Sequence, residues 1–149
     1  MKRGSRLSVA LHALLHMAER TEPLTSEALA VMLHTHAVVV RRTMAGLRAR
    51  GIVSSEKGHG GGWRFSGSLE TLTLGDVYEA LGAPDVFAIG PRVEQPGCPV
   101  ERAVNRAMGA ALEEAEAVFH GHLRDVTLAS IAADVKKKKE RMRPCSTSS

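Results

Sequence analysis

The stretch Ser54-Ser55-Glu56-Lys57-Gly58-His59-Gly60-Gly61-Gly62-Trp63-Arg64-Phe65 decides how the chain is read. Four glycines fall between positions 58 and 62, which no helix tolerates. The residues on either side, Ile52–Glu56 and Trp63–Phe65, are of β type. The segment therefore predicts a two-stranded hairpin with a long glycine tip. Glycine lets such a tip take positive φ and approach another surface closely, and Lys57 and His59 place donors beside it. A phosphate-binding loop fits poorly. No Gly-Lys-Ser/Thr follows, and the flanks read strand–strand rather than strand–helix.

Upstream of the hairpin the apolar period is helical. Leu7, Ala10, Leu11, Leu14, Leu15 and Ala18 share one face of a helix over about Ser5–Arg20, which Thr21-Glu22-Pro23 ends. Thr25 is a good N-cap for a second, short helix with Glu27 in its first turn and Leu29 and Leu33 inward. His34-Thr35-His36 makes a tight connection. A third helix over about Ala37–Arg50 turns Ala37, Val40, Met44 and Leu47 inward and Val38, Arg41, Arg42 and Ala45 outward, and Gly51 ends it. Helix, tight turn, helix and hairpin is the order of a winged helix-turn-helix. In that module the second helix of the pair enters the major groove, and the hairpin reaches flanking backbone or minor groove. The candidate DNA contacts follow. Thr25, Thr35 and His36 lie at helix N-termini, where phosphate is met. Val38 or Val39 suits a thymine methyl, and Arg41 and Arg42 suit phosphate or a guanine edge. Lys57, His59, Gly60 and Gly61 form the tip. On the helix alone, a merely solvated arginine face is an equally good account; the adjoining hairpin tips the balance.

Charge supports that division. The 149 residues carry 20 Lys and Arg against 16 Asp and Glu, a net +4, but residues 1–64 are net basic and residues 65–135 net acidic. A basic first half beside an acidic second half points to a polyanion partner for the first. Hydrophobic residues at 44% indicate a folded chain, and aromatics at 3% leave the core to Leu, Val, Ala and Met. There is no apolar run of membrane length and no signal-peptide pattern, and two cysteines make no disulfide framework. The expected setting is cytoplasmic.

Beyond the hairpin, Thr73 caps a short helix to about Leu81. Residues 82–98 are irregular, with Pro84, Pro91 and Pro96. Pro99 suits the first position of a long helix to about Leu123. Its Val100, Val104, Ala107, Ala111, Ala115 and Val118 form a small-residue and apolar seam longer than one small domain needs. That seam is the candidate interface of a homodimer, with packing inside one chain as the alternative. A short helix over Thr127–Val135 precedes Lys136–Lys139, Arg141 and Arg143. Such a block is ordinarily a solvated tail, and it is able to add sequence-independent affinity for DNA. The expected organisation is a winged helix-turn-helix over 1–81, a linker or sensor loop over 82–98, dimerisation helices over 99–135 and a basic disordered tail over 136–149. The fold class is mainly α, with a two-stranded wing and a long C-terminal dimerisation helix.

Leu7–Leu15, the helix pair from Thr25 to Gly51, the hairpin Ser54–Arg64, Leu74-Gly75-Asp76-Val77-Tyr78-Glu79-Ala80-Leu81 and the long helix after Cys98 together resemble the Rrf-two family. These are the IscR/NsrR-type bacterial winged-helix regulators. The resemblance covers about residues 4–135. The hairpin is its most specific part: where family members carry Arg-Gly-Pro-Gly-Gly-Gly-Tyr, this chain has Lys57, His59 and Trp63 in place of the Arg, Pro and Tyr. The resemblance implies homodimers on near-palindromic operators, mostly as repressors, with Lys57 in the place of a minor-groove arginine. Cluster-binding members hold three cysteines before the long helix. This chain keeps only Cys98; Val86 and Arg92 lie about where the other two would be, and Glu101 where some members place a histidine. One thiolate does not hold an iron–sulfur cluster, so no cofactor is expected.

Cys98 before Pro99 sits at a helix N-terminus, and it is the candidate redox sensor; a packing role is the alternative. Cys145 is in a position to resolve an oxidised Cys98, although a cysteine in a tail is more often incidental. His12 and His16 have metal-binding spacing but no completing ligand, and His120 and His122 point apart, so no metal site is assigned. No nucleophile–base set or nucleotide loop speaks for an enzyme. The expected function is a DNA-binding transcriptional regulator, a homodimeric repressor on a near-palindromic operator, with oxidation of Cys98 as its candidate switch. The alternatives are a regulator answering a small molecule or metal, and an interaction adaptor that has lost DNA binding.

Overall fold

The structure, a computed structural model, describes residues 6–87, 89–90 and 97–142. The described residues form six helices and one hairpin: α1 (Arg6–Ala18), α2 (Ser26–Met32), α3 (Ala37–Ala49), β1 (Val53–Glu56), β2 (Gly62–Phe65), α4 (Leu74–Ala80), α5 (Pro99–Asp125) and α6 (Leu128–Arg141). The inward faces expected from the 3.6-residue period assemble the core. Ala10, Ala13, Leu14 and Met17 of α1 meet Leu29 of α2, Val40, Met44 and Leu47 of α3, and Val77 and Ala80 of α4. Ile52 and Leu72 close it from the connecting segments, Val53 from β1 and Leu128 from the start of α6. Thr43 is buried among them, its hydroxyl donating to the Val39 carbonyl at 2.9 Å. That local bond satisfies a polar group the core would otherwise exclude.

Three devices fix the geometry around α3. His34 takes φ 49° in the turn after α2, and the Thr35 amide returns to the Ala30 carbonyl at 3.0 Å, so α3 departs sharply from α2. Gly46 brings α3 against α4; a Cβ there would stand 2.7 Å from the Ala80 carbonyl oxygen. Thr73 and Asp76 form a reciprocal capping box on α4. The same segment is clamped to the chain after α5 by the Thr73–Thr127 bridge and the Leu128 amide on the Leu72 carbonyl at 2.9 Å.

β1 and β2 pair antiparallel from Val53–Phe65 to Glu56–Gly62. The wing has a third partner that the sequence does not announce. Leu24 and Trp63 exchange backbone hydrogen bonds of 2.9 and 2.8 Å, adding the segment before α2 to the hairpin edge. Gly62 is required there, since a Cβ would lie 2.7 Å from the Leu24 carbonyl.

The expected boundaries hold to within two residues until the C-terminus. α1 ends at Ala18 rather than Arg20, and α5 reaches Asp125 rather than Leu123. The larger correction is at α6. It continues past Val135 to Arg141, so Lys136–Lys139 are helical and the expected disordered tail does not begin at 136. Lysines are good helix formers, and cations at a helix C-terminus oppose the negative end of the macrodipole. Lys139 also anchors the helix on Glu19, the residue after α1, with Nζ 3.0 Å from the carboxylate. Residues 143–149, with Cys145, and Arg92 of the loop lie outside the described residues. Among the described residues no helix is long and apolar enough to cross a membrane.

Candidate nucleic-acid interface

The exposed side of α3 carries Val38, Arg41, Arg42 and Ala45, while Val39 is half-buried. Val38 is 60% exposed, which is unusual for a β-branched side chain with no partner among the described residues. Arg42 is exposed at one edge of this face and has no side-chain partner among the described residues. Arg41 has one: its guanidinium donates to Glu27 of α2 at 2.6 Å, and that bond holds the Glu27 carboxyl below the usual range. The pair fixes Arg41 across the two helices and leaves its side chain 54% exposed.

Thr25 caps α2 as expected, its hydroxyl accepting the Ala28 amide at 3.1 Å. Its oxygen is therefore already engaged, although the residue remains on the surface. His36 caps α3 without a side-chain hydrogen bond, and Thr35 beside it is half-buried. Thr25 and His36 are thus both exposed at the starts of their helices.

The wing stands beside this surface on a fixed footing. The Trp63 indole donates to Ser26 of α2 at 2.9 Å, and the Arg48 guanidinium of α3 lies 6.0 Å from the Trp63 ring centre. Arg48 also donates to Ser55 of β1 at 3.3 Å. At the other edge Arg64 donates to Glu56 at 2.8 Å and to the Thr21 carbonyl. Helix pair and wing are therefore joined through Trp63 and Arg48, and Arg64 ties the wing to the segment after α1. The tip itself is open: Lys57, His59 and Gly60 are exposed. The turn closes with the Gly61 amide on the Gly58 carbonyl at 3.1 Å, and a Cβ on Gly61 would stand 2.3 Å from the Glu56 carbonyl. Sequence reasoning missed Ser26, Glu27 and Arg48. The signal for Ser26 was available in principle, because a half-buried indole N–H needs an acceptor.

α5 shows two faces. Tyr78 of α4 meets the Phe119 ring edge-on at 6.3 Å, and Leu123 is buried. Val100, Val104, Ala107, Ala111, Ala115 and Val118 fall within roughly 80° of one another at 3.6 residues per turn. Val100 is 70% exposed, and Val104 and Val118 are open as well. Ala111 and Ala115 border a groove that Phe87 and Ile89 share with Met108 and Leu112. Cys98 is the N-cap of α5 and half-buried, with its carbonyl taking the Arg102 amide at 3.1 Å and Pro99 following. The residues around it do not suit an iron–sulfur cluster. Cys98 is the single thiol of the described residues, Val86 offers no donor, and the chain's other cysteine is Cys145. His12 and His16 touch, nitrogen to nitrogen at 3.1 Å, and no metal-ligand cluster occurs among the described residues.

A helix-turn-helix with a wing locked beside its second helix, and a long helix leading away, defines a winged-helix regulator. The sequence model of the Rrf2 family, described as "Iron-dependent Transcriptional regulator", matches residues 3–134. The chain belongs to the Rrf2 family of transcriptional regulators and not to an enzyme family. It is 29% identical over 131 residues to YwnA of Bacillus subtilis, which is named as an HTH-type transcriptional regulator, covering 86% of this chain and 95% of that one. A solved transcriptional-regulator structure from Lactobacillus plantarum superposes with a TM-score of 0.74 at 24% identity, covering 88% and 89% of the two chains. T. potens IscR superposes with a TM-score of 0.67 at 18% identity, over 93% of this chain and 90% of that one. Both show the fold.

Proposed function

We propose that the protein is a homodimeric repressor that lays two α3 helices into successive major grooves of a near-palindromic operator, about 34 Å apart. The observation that carries this reading is the open α3 face, with Val38 exposed and Arg42 unpaired among the described residues, beside a rigidly seated wing. Arg42 reads a base edge, and Arg41, held by Glu27, meets the backbone. Thr25, Thr35 and His36 present backbone amides to phosphate. Lys57, His59, Gly60 and Gly61 enter the flanking minor groove. Val100, Val104, Ala107, Ala111, Ala115 and Val118 of α5 meet their copies on the second protomer. No iron–sulfur cluster takes part, because the donors are lacking.

The proposed signal is oxidation of Cys98. Its thiolate attacks a peroxide oxygen, the O–O bond breaks, and a sulfenic acid and water (or an alcohol) result once the leaving oxygen is protonated. At the N-cap of α5 that change falls where the loop meets the dimerisation helix.

The test is fluorescence anisotropy on the DNA upstream of the protein's own gene, with reduced and peroxide-treated protein and Cys98→Ser in parallel. Arg42→Ala is expected to weaken specific binding by roughly 1–3 kcal/mol. Oxidation is expected to change binding only when Cys98 is present. Specific binding indifferent to peroxide removes the thiol switch and favours a small-molecule or metal signal. Absence of sequence-selective binding favours an interaction adaptor.

A further inference from the structure

The basic end of α6 is not a loose tail, and its placement has a direction. α6 runs alongside α1 in the same sense: Ile131 lies by Leu7, Leu11 and Leu15, and Ala132 and Val135 by Leu15, Ala18 and Glu19. Lys139 then pairs with Glu19. α1 ends at Ala18, so the last turn of α6 lies at or beyond its end. The chain that leaves α1 there is the one the wing holds, through Arg64 on the Thr21 carbonyl and Trp63 on Leu24. The overhang of α6 thus lies at the end of the domain that carries the wing root and the start of α2.

That overhang is cationic and open. Lys136, Lys137, Lys138, Lys139 and Arg141 are all exposed, with Glu140 as the single acid of the turn. With Lys139 turned toward α1, Lys137 and Arg141 project from the opposite side of the helix, and Lys138 between them and Lys139. Lys137 and Arg141 are four residues apart, a like-charge spacing that costs helix stability. No ion pair within the chain offsets it among the described residues.

We infer that Lys137, Lys138 and Arg141 at the end of α6 form a second phosphate-binding surface, which engages double-stranded DNA outside the segment read by α3 and the wing. The inference rests on the proposed DNA-binding function and adds a contact that α3 and the wing do not make. Phosphate is the fitting partner because the three cations have no ion-pair partner among the described residues and lie toward the wing strand and the start of α2, which the proposed function places on DNA. Their contribution is independent of sequence and sensitive to salt.

The experiment compares the full-length protein with the triple variant Lys137→Gln, Lys138→Gln, Arg141→Gln, which keeps helix-forming side chains and the Lys139 anchor. Binding is measured across a salt series on the upstream DNA and on the same site trimmed of its flanks, with Arg42→Ala as reference. The expected slope of log K against log salt is shallower in the variant by about 2 to 3, because each phosphate contact contributes about 0.9. The preferred site is expected to be unchanged, and the two proteins to converge on the trimmed duplex. An unchanged slope, while Arg42→Ala still loses specific binding, overturns the inference and leaves the proposed function standing. Loss of binding to phosphatidylglycerol-rich vesicles with an unchanged DNA slope assigns the surface to a membrane and also overturns it. If the wild-type protein binds no duplex selectively, both readings fail together.

Discussion

The winged core and the long helix obey the same helical period and end in opposite states. Within residues 6–81 the inward apolar faces of the helices find their counterparts in the same chain, and Leu14, Leu29, Val40, Met44, Leu47 and Val77 are fully enclosed. Over the 27 residues of α5, Leu123 alone is buried. Periodicity tells which side of a helix is apolar; it does not tell what covers that side. In the core the cover is α1, α3 and α4. For the stripe from Val100 to Val118 it lies, on the proposed reading, in a second copy.

The sharpest break of this contrast is a cavity on the closed side. Leu47→Ala is expected to cost about 2–5 kcal/mol in denaturant unfolding, because its site is enclosed on all sides. A loss below about 1 kcal/mol would mean that the core is not one cooperative unit. Gly46→Ala comes next. The new methyl would meet the Ala80 carbonyl at 2.7 Å, and backbone does not swing aside as a side chain does. We expect a loss of about 1–3 kcal/mol despite the better helix propensity of alanine. On the open side the outcome reverses. Val104→Glu with Val118→Glu should leave amide exchange in α1 and α3 unaltered while the sedimenting mass falls from two chains to one. A wild-type protein already monomeric at micromolar concentration would refute the dimer.

Most of the core was legible because each helix announces its own buried face. So was the hairpin, since four glycines between β-type flanks leave little choice. The joints were not legible. Leu24 on Trp63, Arg64 on Thr21 and Arg41 on Glu27 unite segments 14 to 43 residues apart, and no local pattern marks them. α6 was misjudged for a related reason. A lysine run has no apolar period, yet Val135 and the Lys139–Glu19 pair tie it to α1. Of the candidate site, the outward set on α3 was read from spacing, whereas the engagement of Arg41 needed α2 in view.

The smallest effect concerns acidity. Burial, and then the neighbouring His12, hold His16 below its ordinary pKa of 6.5. Near pH 6 the unfolded chain therefore binds more protons than the native one. Native stability should decline modestly as pH falls from 7 through the unfolded value, then level off below the native one. His12→Gln should flatten that decline in a pH series of thermal unfolding, and an unchanged profile would show that the pair does not couple.

The chain has one tryptophan, and it is Trp63. Its indole touches α2 through Ser26, faces the Arg48 cation of α3 and belongs to the wing strand. The molecule therefore carries a native optical reporter at the hinge of its reading head. Steady-state emission and quenching will record wing seating without any label, in free protein and on DNA alike. The single tyrosine, Tyr78, lies instead on α4 against Phe119 of the long helix, and excitation at the red edge of the absorption band, where tyrosine does not absorb, reads Trp63 alone.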